Sequence, residues 1–365
     1  MRTLLALSTL PREGPSVRPR VLAYGPHLLS RGIRLDFRPF LTDDAFRGFY
    51  APDLAARARR TAWSLLGGLR RSAALLGEVR ADAVLVHREI LPRGNRLALA
   101  ALRRRGLRYL HDLDDALWLA PRDYVADGEL SRRRMTLLKD PGETDGLLAG
   151  ATLVLAGNET IAAHAAERNP AVRLMPTVVD TSTFRPREKG ARRRPLVGWI
   201  GSPTATYCLK AILPALVLAA ERTPFDLLVV GAGEALRVPG VKVETRAWSL
   251  AKEPALFSSL DVGLYPLPDN PWTRGKCGMK AIQYLASGVA AVVSPVGVNT
   301  RIVEDGRTGF FATGPGEWTD RLVRYLADPV LRAEHGARGR EAVERGWSLA
   351  TWGPRFSDAV LEVLA

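Results

Sequence analysis

The stretch RGKCGMKAIQYLASGVAAVVSPVG, residues 274–297, decides the fold. It opens on cations and glycines, passes through a helix-like segment, breaks at Gly288 and enters a β-branched run. Counted as a helix from Gly275, Lys276, Lys280 and Gln283 are spaced by four and then three residues, so they share one face. Met279, Ile282 and Leu285 take the other side, toward a core. Lysines at a helix N-terminus oppose its dipole, and a bound anion, usually a phosphate, resolves that conflict. Gly275 and Gly278 allow close approach to the backbone, and Gln283 offers a donor and an acceptor to a ribose diol. A solvated cationic face is the competing reading. The phosphate reading is preferred because the strand-like LDVGLYPL at 260–267 puts the helix start at the carboxyl edge of a parallel sheet.

Outward from this stretch, short apolar runs alternate with helical periodicity. The runs are LLALS, ADAVLVH, LRYLHD, ATLVLAG, PLVGWIGS, FDLLVVGAG, LDVGLYPL and GVAAVVSP; helical spacing marks 54–76, 93–105 and 207–220. The alternation predicts parallel sheets covered on both faces. No fixed-period repeat is present. The polar, proline-bearing stretch VVDTSTFRPREKGARRRP at 178–195 is the expected boundary between two α/β domains of similar size. The chain ends in helical segments, the last with Ser348 as a cap.

A length of 365 residues suits two domains, and 47% hydrophobic with 25% charged residues matches an ordinary globular protein. Two cysteines, Cys208 and Cys277, exclude a disulfide scaffold or a cysteine metal knuckle and fit a reducing cytoplasm. No apolar run reaches the ~18 residues of a membrane span, and the N-terminus reads as a first strand rather than a signal peptide. The net charge is +14, but residues 1–180 carry 28 Lys+Arg against 20 Asp+Glu and the remainder 24 against 18. An excess spread over both halves, arginine-rich in an alanine-rich chain, argues against nucleic acid as a partner. An anionic membrane surface or a phosphorylated substrate stays compatible with it. The basic stretch 57–76 is amphipathic; packing on the sheet is preferred to lying on a membrane.

The stretch 270–312, NPWTRGKCGMKAIQYLASGVAAVVSPVGVNTRIVEDGRTGFFA, resembles the nucleotide-sugar half of GT-B glycosyltransferases of the large family 4 (group 1) type. Other pieces agree in order: GPSVRPRVLAYGPHLLSRGI, LRYLHDLDDALW, ATLVLAGNETIAAHA, LMPTVVDTSTF, VGWIGSPTATYCLKAI and GEWTDRLVRYLAD. The resemblance implies two Rossmann-like domains facing a cleft. Residues 1–178 would form the acceptor-side domain, with a C-terminal helix at about 349–365 crossing back, and 179–348 the nucleotide-sugar domain. It implies transfer of a sugar from a nucleoside-diphosphate sugar to a glycan, lipid-linked or other acceptor. Retention, no cofactor, no metal and a cytoplasmic location, peripheral at the inner face of a membrane, go with it. Such a site must stabilise a departing diphosphate. The expected groups are the amides of Cys277, Gly278 and Met279 with Arg274, Lys276 and Lys280, beside Gly201 and Ser202 after the first strand of the second domain. Gly14, Ser16 and Arg18 in the first loop are expected toward the donor phosphates and acceptor, with a plain turn as the alternative.

The chain departs from that family in two places. Two glutamates eight positions apart fall on Gly275 and Gln283. An arginine after the first glycine of the second domain is Ser202, and Cys208 stands near the expected lysine, with Lys210 shifted. Relocation of the phosphate clamp onto Arg274, Lys276 and Lys280 is one explanation; loss of activity, leaving a nucleotide- or glycan-binding scaffold, is the other. An epimerase lacks a supporting carboxylate/histidine set. In HDLDDALW, residues 111–118, Asp112 and Asp114 form a D-x-D that GT-A enzymes use to hold a metal. A GT-A fold does not explain the second half, and a helix cap accounts for Asp114 or Asp115 equally well. The family often has a histidine at this strand end; Asp112 takes the matching place and His111 is one off, so Asp112 and Asp114 are expected as cleft residues. Trp248 is read as either a nucleobase wall or core, and the remaining histidines show no metal spacing.

Overall fold

The computed structural model describes residues 1–47, parts of 67–92, 95–119, 141–188 and 192–365. Of the basic stretch 57–76, residues 57–66, 69, 72 and 76 lie outside them. Among the rest, Leu75 is buried in a cluster with Leu5, Leu7 and Val84, and Arg71 Nη1 donates to the carbonyls of Ser8 at 3.2 Å and Ile90 at 3.0 Å. Among the described residues the apolar runs form two six-stranded sheets, all parallel, each belonging to one compact unit.

The first unit comprises Met1–Thr177, Asn270–Cys277 and Trp352–Ala365. Its strands are β1 (Arg2–Ser8), β2 (Ile33–Pro39), β3 (Ala83–His87), β4 (Tyr109–Leu113), β5 (Leu153–Ala156) and β6 (Val172–Leu174), in the order β2-β1-β3-β4-β5-β6. Strands β3, β4 and β5 are buried along their whole length, as a sheet covered on both faces requires. Tyr24 stacks on Phe356 of the last helix, Leu349–Leu364, with ring centroids 4.0 Å apart.

The second unit comprises Val178–Asp269 and Gly278–Thr351. Its strands are β7 (Leu196–Ile200), β8 (Asp226–Val230), β9 (Lys242–Arg246), β10 (Val262–Tyr265), β11 (Ala290–Val293) and β12 (Phe310–Phe311). The order β12-β11-β10-β7-β8-β9 is that of a dinucleotide-binding Rossmann sheet, with the order reversing between β7 and β10. The helix Met279–Ala286 lies on this sheet: Ala281 through Ala286 are buried, and the Tyr284 hydroxyl meets the carbonyls of Gly198 and Leu264 at 3.3 Å each. Arg340 holds the segment after residue 178, donating to the carbonyls of Phe184, Thr181 and Ala286.

The contact division falls at residues 177 and 178, puts Trp352–Ala365 with the first unit, and adds to it one segment that the sequence did not mark. Asn270–Cys277 packs with the first unit. A capping box between Asn270 and Thr273 opens a short helix, Pro271–Arg274. Asn158 then donates from Nδ2 to the carbonyls of Gly275 at 2.9 Å and Lys276 at 3.0 Å. Gly275 is pressed against Ala116, and Cys277 joins the cluster of Leu113, Val154 and Ile161. The helix therefore does not start at Gly275. It starts at Met279, because Gly278 at φ +64 turns the chain through the left-handed region, where helix geometry cannot continue.

Candidate functional site

In the second unit the expected residues gather at the carboxyl ends of β7 and β8 and at the start of the helix Met279–Ala286. Gly201 follows β7 and its N–H donates to Val230; the Ser202 hydroxyl bonds that of Thr204 at 2.9 Å. Lys280 and Gln283 share a helix face as expected, and Lys280 Nζ donates to Gln283 Oε1 at 3.0 Å. An ammonium only donates, so this fixes the amide with Nε2 pointing away. Nε2 is buried and has no hydrogen-bond partner, and Gln283 is fully buried.

Glu253, which the sequence did not single out, lies beside this pair. Its carboxylate is 3.6 Å from Lys280 Nζ and accepts from Trp248 Nε1 at 3.2 Å, although Glu253 is only 1% exposed. Trp248 thus faces a carboxylate, half-buried at the rim of the core. Asn299, at the start of a short helix after β11, leaves a second unpaired buried atom, Oδ1. Buried polar atoms normally find partners. Ser287 Oγ is a third such atom in this unit, so the ligand argument rests on Gln283 Nε2, whose amide is held by Lys280 beside Glu253.

Lys276 is not part of this face. With Arg274 and Cys277 it belongs to the first unit, while Gly278, Met279 and Lys280 belong to the second. The face shared by Lys276 and Lys280 does not form, because the helix starts at Met279, after Gly278. Lys276 Nζ sits 3.6 Å from Asp115 and over the Trp272 ring at 5.1 Å. Burial pushes the Cys277 thiol far up, with Arg20 opposing, so it is an inert core group.

In the first unit the carboxyl ends of β1, β3 and β4 carry a buried polar network. Asp112 is fully buried and does not stand free as a base. Arg20 engages both its oxygens, His87 Nδ1 is 2.7 Å from Oδ2, and Arg20 also donates to the Met175 carbonyl. Burial alone would raise the Asp112 carboxyl; the Arg20 charge and the His87 hydrogen bond outweigh it and hold the group below the ordinary carboxylate range. An ionised Asp112 makes His87 Nδ1 a donor, and its Nε2 shares a hydrogen bond with the Ser16 hydroxyl 3.0 Å away. Ser16 is thus held by His87. Its neighbours Gly14 and Arg18 are buried and half-buried in the same loop and helix, Val17–Arg20.

Asp114 has only a loose ion pair: Arg88 Nη1 lies 3.4 Å from its Oδ1, which is buried and accepts no hydrogen bond, and 2.9 Å from Asp115. Both oxygens of Asp112 being taken, the D-x-D supplies no ligand pair. Arg88 has φ +65, a left-handed value rare for a side chain of this size, which no local residue pattern announces. It is clamped there by its N–H to the Asp112 carbonyl at 2.8 Å and by His111 Nε2 donating to its carbonyl at 2.9 Å.

His111 is fully buried, and burial lowers its pKa to about 4. The folded value lies below the unfolded one, about 6.5, so the unfolded chain binds the extra proton. Stability is full above pH 6.5 and falls as the pH drops toward 4, by about 3 kcal/mol from this residue. Urea titrations at pH 7 and pH 4.5 are expected to show a smaller pH-dependent loss in His111→Gln than in wild type. Equal losses would remove His111 as the cause.

Residues 194–328 match the family described as Glycosyl transferases group 1. No curated protein matches the sequence significantly. Among solved structures the chain is similar to sucrose-phosphate synthase from Thermosynechococcus elongatus, at 17% identity and a TM-score of 0.72, covering 99% of each chain. It is similar to Alr3699/HepE from Anabaena in complex with UDP-glucose, at 14% identity and a TM-score of 0.67, covering 99% of this chain and 100% of that one. A glycosyltransferase from Rickettsia africae shares 11% identity with a TM-score of 0.68, covering 100% and 98%. The chain has the GT-B fold, and its residues 194–328 are similar to the family described as Glycosyl transferases group 1.

Proposed function

We propose that the protein is a glycosyltransferase that moves a sugar from a nucleoside-diphosphate sugar to a glycan, lipid-linked or other acceptor, with retention and without a metal. The observation that carries this reading is the group Trp248, Glu253, Lys280 and Gln283 at the carboxyl edge of a Rossmann sheet, with Gln283 Nε2 left without a partner. Complexes of the similar Anabaena protein with UDP and with UDP-glucose support it. In this reading Lys280 faces the diphosphate as its charge grows, and the buried Glu253 carboxylate and Gln283 amide hold ribose hydroxyls. Glu253 supplies the carboxylate that the sequence pattern lacks at Gln283. The acceptor side rests on the first unit, where Ser16, Arg88 and Asp114 stand at the strand ends. Among the described residues no single helix is long and apolar enough to cross a membrane.

The scaffold reading persists on one observation, the absence of the usual cation at Ser202 and of a carboxylate at Gly275. Calorimetric titration of UDP, GDP and their sugars tests both. One nucleotide is expected to bind, and Lys280→Ala to weaken it roughly ten- to a hundredfold, the value of one charge-assisted hydrogen bond. No binding of any nucleotide at millimolar concentration would defeat the proposal. Binding without donor hydrolysis or transfer would favour the scaffold.

A further inference from the structure

The second unit carries a charged surface away from its nucleotide edge. Arg192, Arg193 and Arg194 precede β7, are exposed, and make no ion pair among the described residues. They line a cleft of about 430 Å³ with Leu196, Asp226, Lys242, Glu244 and Arg246. Leu196, Asp226 and Lys242 are the first residues of β7, β8 and β9, so the cleft opens at the amino ends of the strands and runs along β9. Arg192 and Arg194 also line a neighbouring cleft of about 310 Å³ with Asp261, Leu326, Pro329 and Arg332. The two clefts form one surface with six cations.

Three facing carboxylates, Asp226, Glu244 and Asp261, offset only half of the six cations. Glu244 pairs with Arg246 at 2.5 Å, which with Lys242 and Arg192 holds its carboxyl low, and Asp261 accepts the Leu196 N–H at 2.7 Å. The surface stays net cationic. No aromatic side chain lines either cleft, so the surface has no stacking platform of the kind single-stranded nucleic acid uses. Beside Pro329, Val330 is 65% exposed at the start of the helix Pro329–Gly346. A cationic cluster with an exposed apolar residue next to it combines the two signals that hold a protein on a lipid surface.

We infer that this amino-edge surface of the second unit docks on a membrane rich in anionic phospholipid, with Arg192–Arg194, Lys242 and Arg332 on the headgroup phosphates and Val330 at the acyl boundary. This places the membrane contact on the second unit, not on the basic stretch 57–76, and it does not depend on the enzyme being active.

Co-sedimentation of the full chain with phosphatidylcholine vesicles, with and without 30% phosphatidylglycerol, tests it at about 0.15 M salt. Binding is expected to the anionic vesicles alone. The triple variant Arg192→Glu, Arg193→Glu, Arg194→Glu is expected to lower the partition coefficient more than a hundredfold, since each basic residue near such a surface contributes about tenfold or less. Val330→Asp is expected to lower it several-fold. The urea midpoint serves as the folding control and should be unchanged in both variants. Equal binding to neutral vesicles, no binding at all, or binding that survives the triple reversal would overturn the inference. So would release by a polyanion such as heparin with no effect of Val330→Asp, which would make the surface a soluble-polyanion site.

Discussion

Arg20→Ala is expected to cost about 3–5 kcal/mol of folding stability, because it leaves the Asp112 carboxylate charged and buried without its counter-ion. Arg20 is 1% exposed and Asp112 is not exposed at all, so water cannot take over. The loss spreads beyond the pair. Arg20 also holds the Met175 carbonyl, and Asp112 orients His87, which in turn holds Ser16. One substitution therefore loosens the loop after β1, the ends of β3 and β4, and the segment leaving β6. The double variant Arg20→Met, Asp112→Leu removes both charges and is expected to be more stable than Arg20→Ala alone. The sign with pH follows from the depressed Asp112 group. Its contribution is complete above the unfolded carboxylate pKa, about 4, and disappears as the pH falls through the lower folded value. Urea melts of wild type between pH 7 and pH 2.5 should show this acid limb, and Arg20→Ala should flatten it. A loss under 1 kcal/mol in Arg20→Ala at pH 7 would show that the network is not a source of stability.

Gly278→Ala is expected to cost about 2–5 kcal/mol and to abolish nucleotide binding. The residue has φ +64, which disfavours any side chain by roughly 1–2 kcal/mol. A Cβ there also runs into the end of Ile302 and comes within 3.0 Å of Val298 Cγ1 and 3.1 Å of Asn299 Oδ1. Overpacking of this kind adds roughly 1–3 kcal/mol. Gly306 is the natural control: it has φ +73, but nothing lies within 4 Å of its added Cβ. Gly306→Ala should therefore show the conformational cost alone, and the difference between the two melts measures the crowding at Gly278. Relief of the clash moves the first turn of the helix that carries Lys280 and Gln283, hence the expected loss of binding by calorimetry. Equal costs at the two glycines would mean that Ile302 simply moves aside.

The fold was legible because it rests on periodicity. Every apolar run quoted for the sheets contains a strand, and the helix at 95–104 and that at 279–286 lie within segments of helical spacing. The sites were legible only where chemistry follows local spacing, as in Lys280 and Gln283, one turn apart on the same helix. Lys276 failed because helical spacing was carried through Gly278; a glycine's sign of φ is set by what surrounds it, here Ile302 and Val298, which lie some twenty residues on. Glu253 was missed because its neighbour Lys280 is brought by the sheet, across β10. The pairing of Arg20 with Asp112 spans 92 positions, and nothing in the two short stretches around them states it. Asp112 was singled out for its position in a D-x-D, whereas its burial was decided by β4 lying at the centre of the sheet.

The division of the chain also bears on synthesis. Translation delivers residues 1–177 first, yet the first unit needs Gly275 and Lys276 as acceptors for Asn158, and Phe356 as the face on which Tyr24 stacks. Those residues leave the ribosome only after most of the second unit. The domain that begins the chain is thus the last to be completed, and contacts of such long sequence separation form slowly. A gene fragment ending near residue 178 encodes an open domain with its Tyr24 ring bare, whereas the second unit meets its own closing contact, Val179 with Ser348, before the final helix is made.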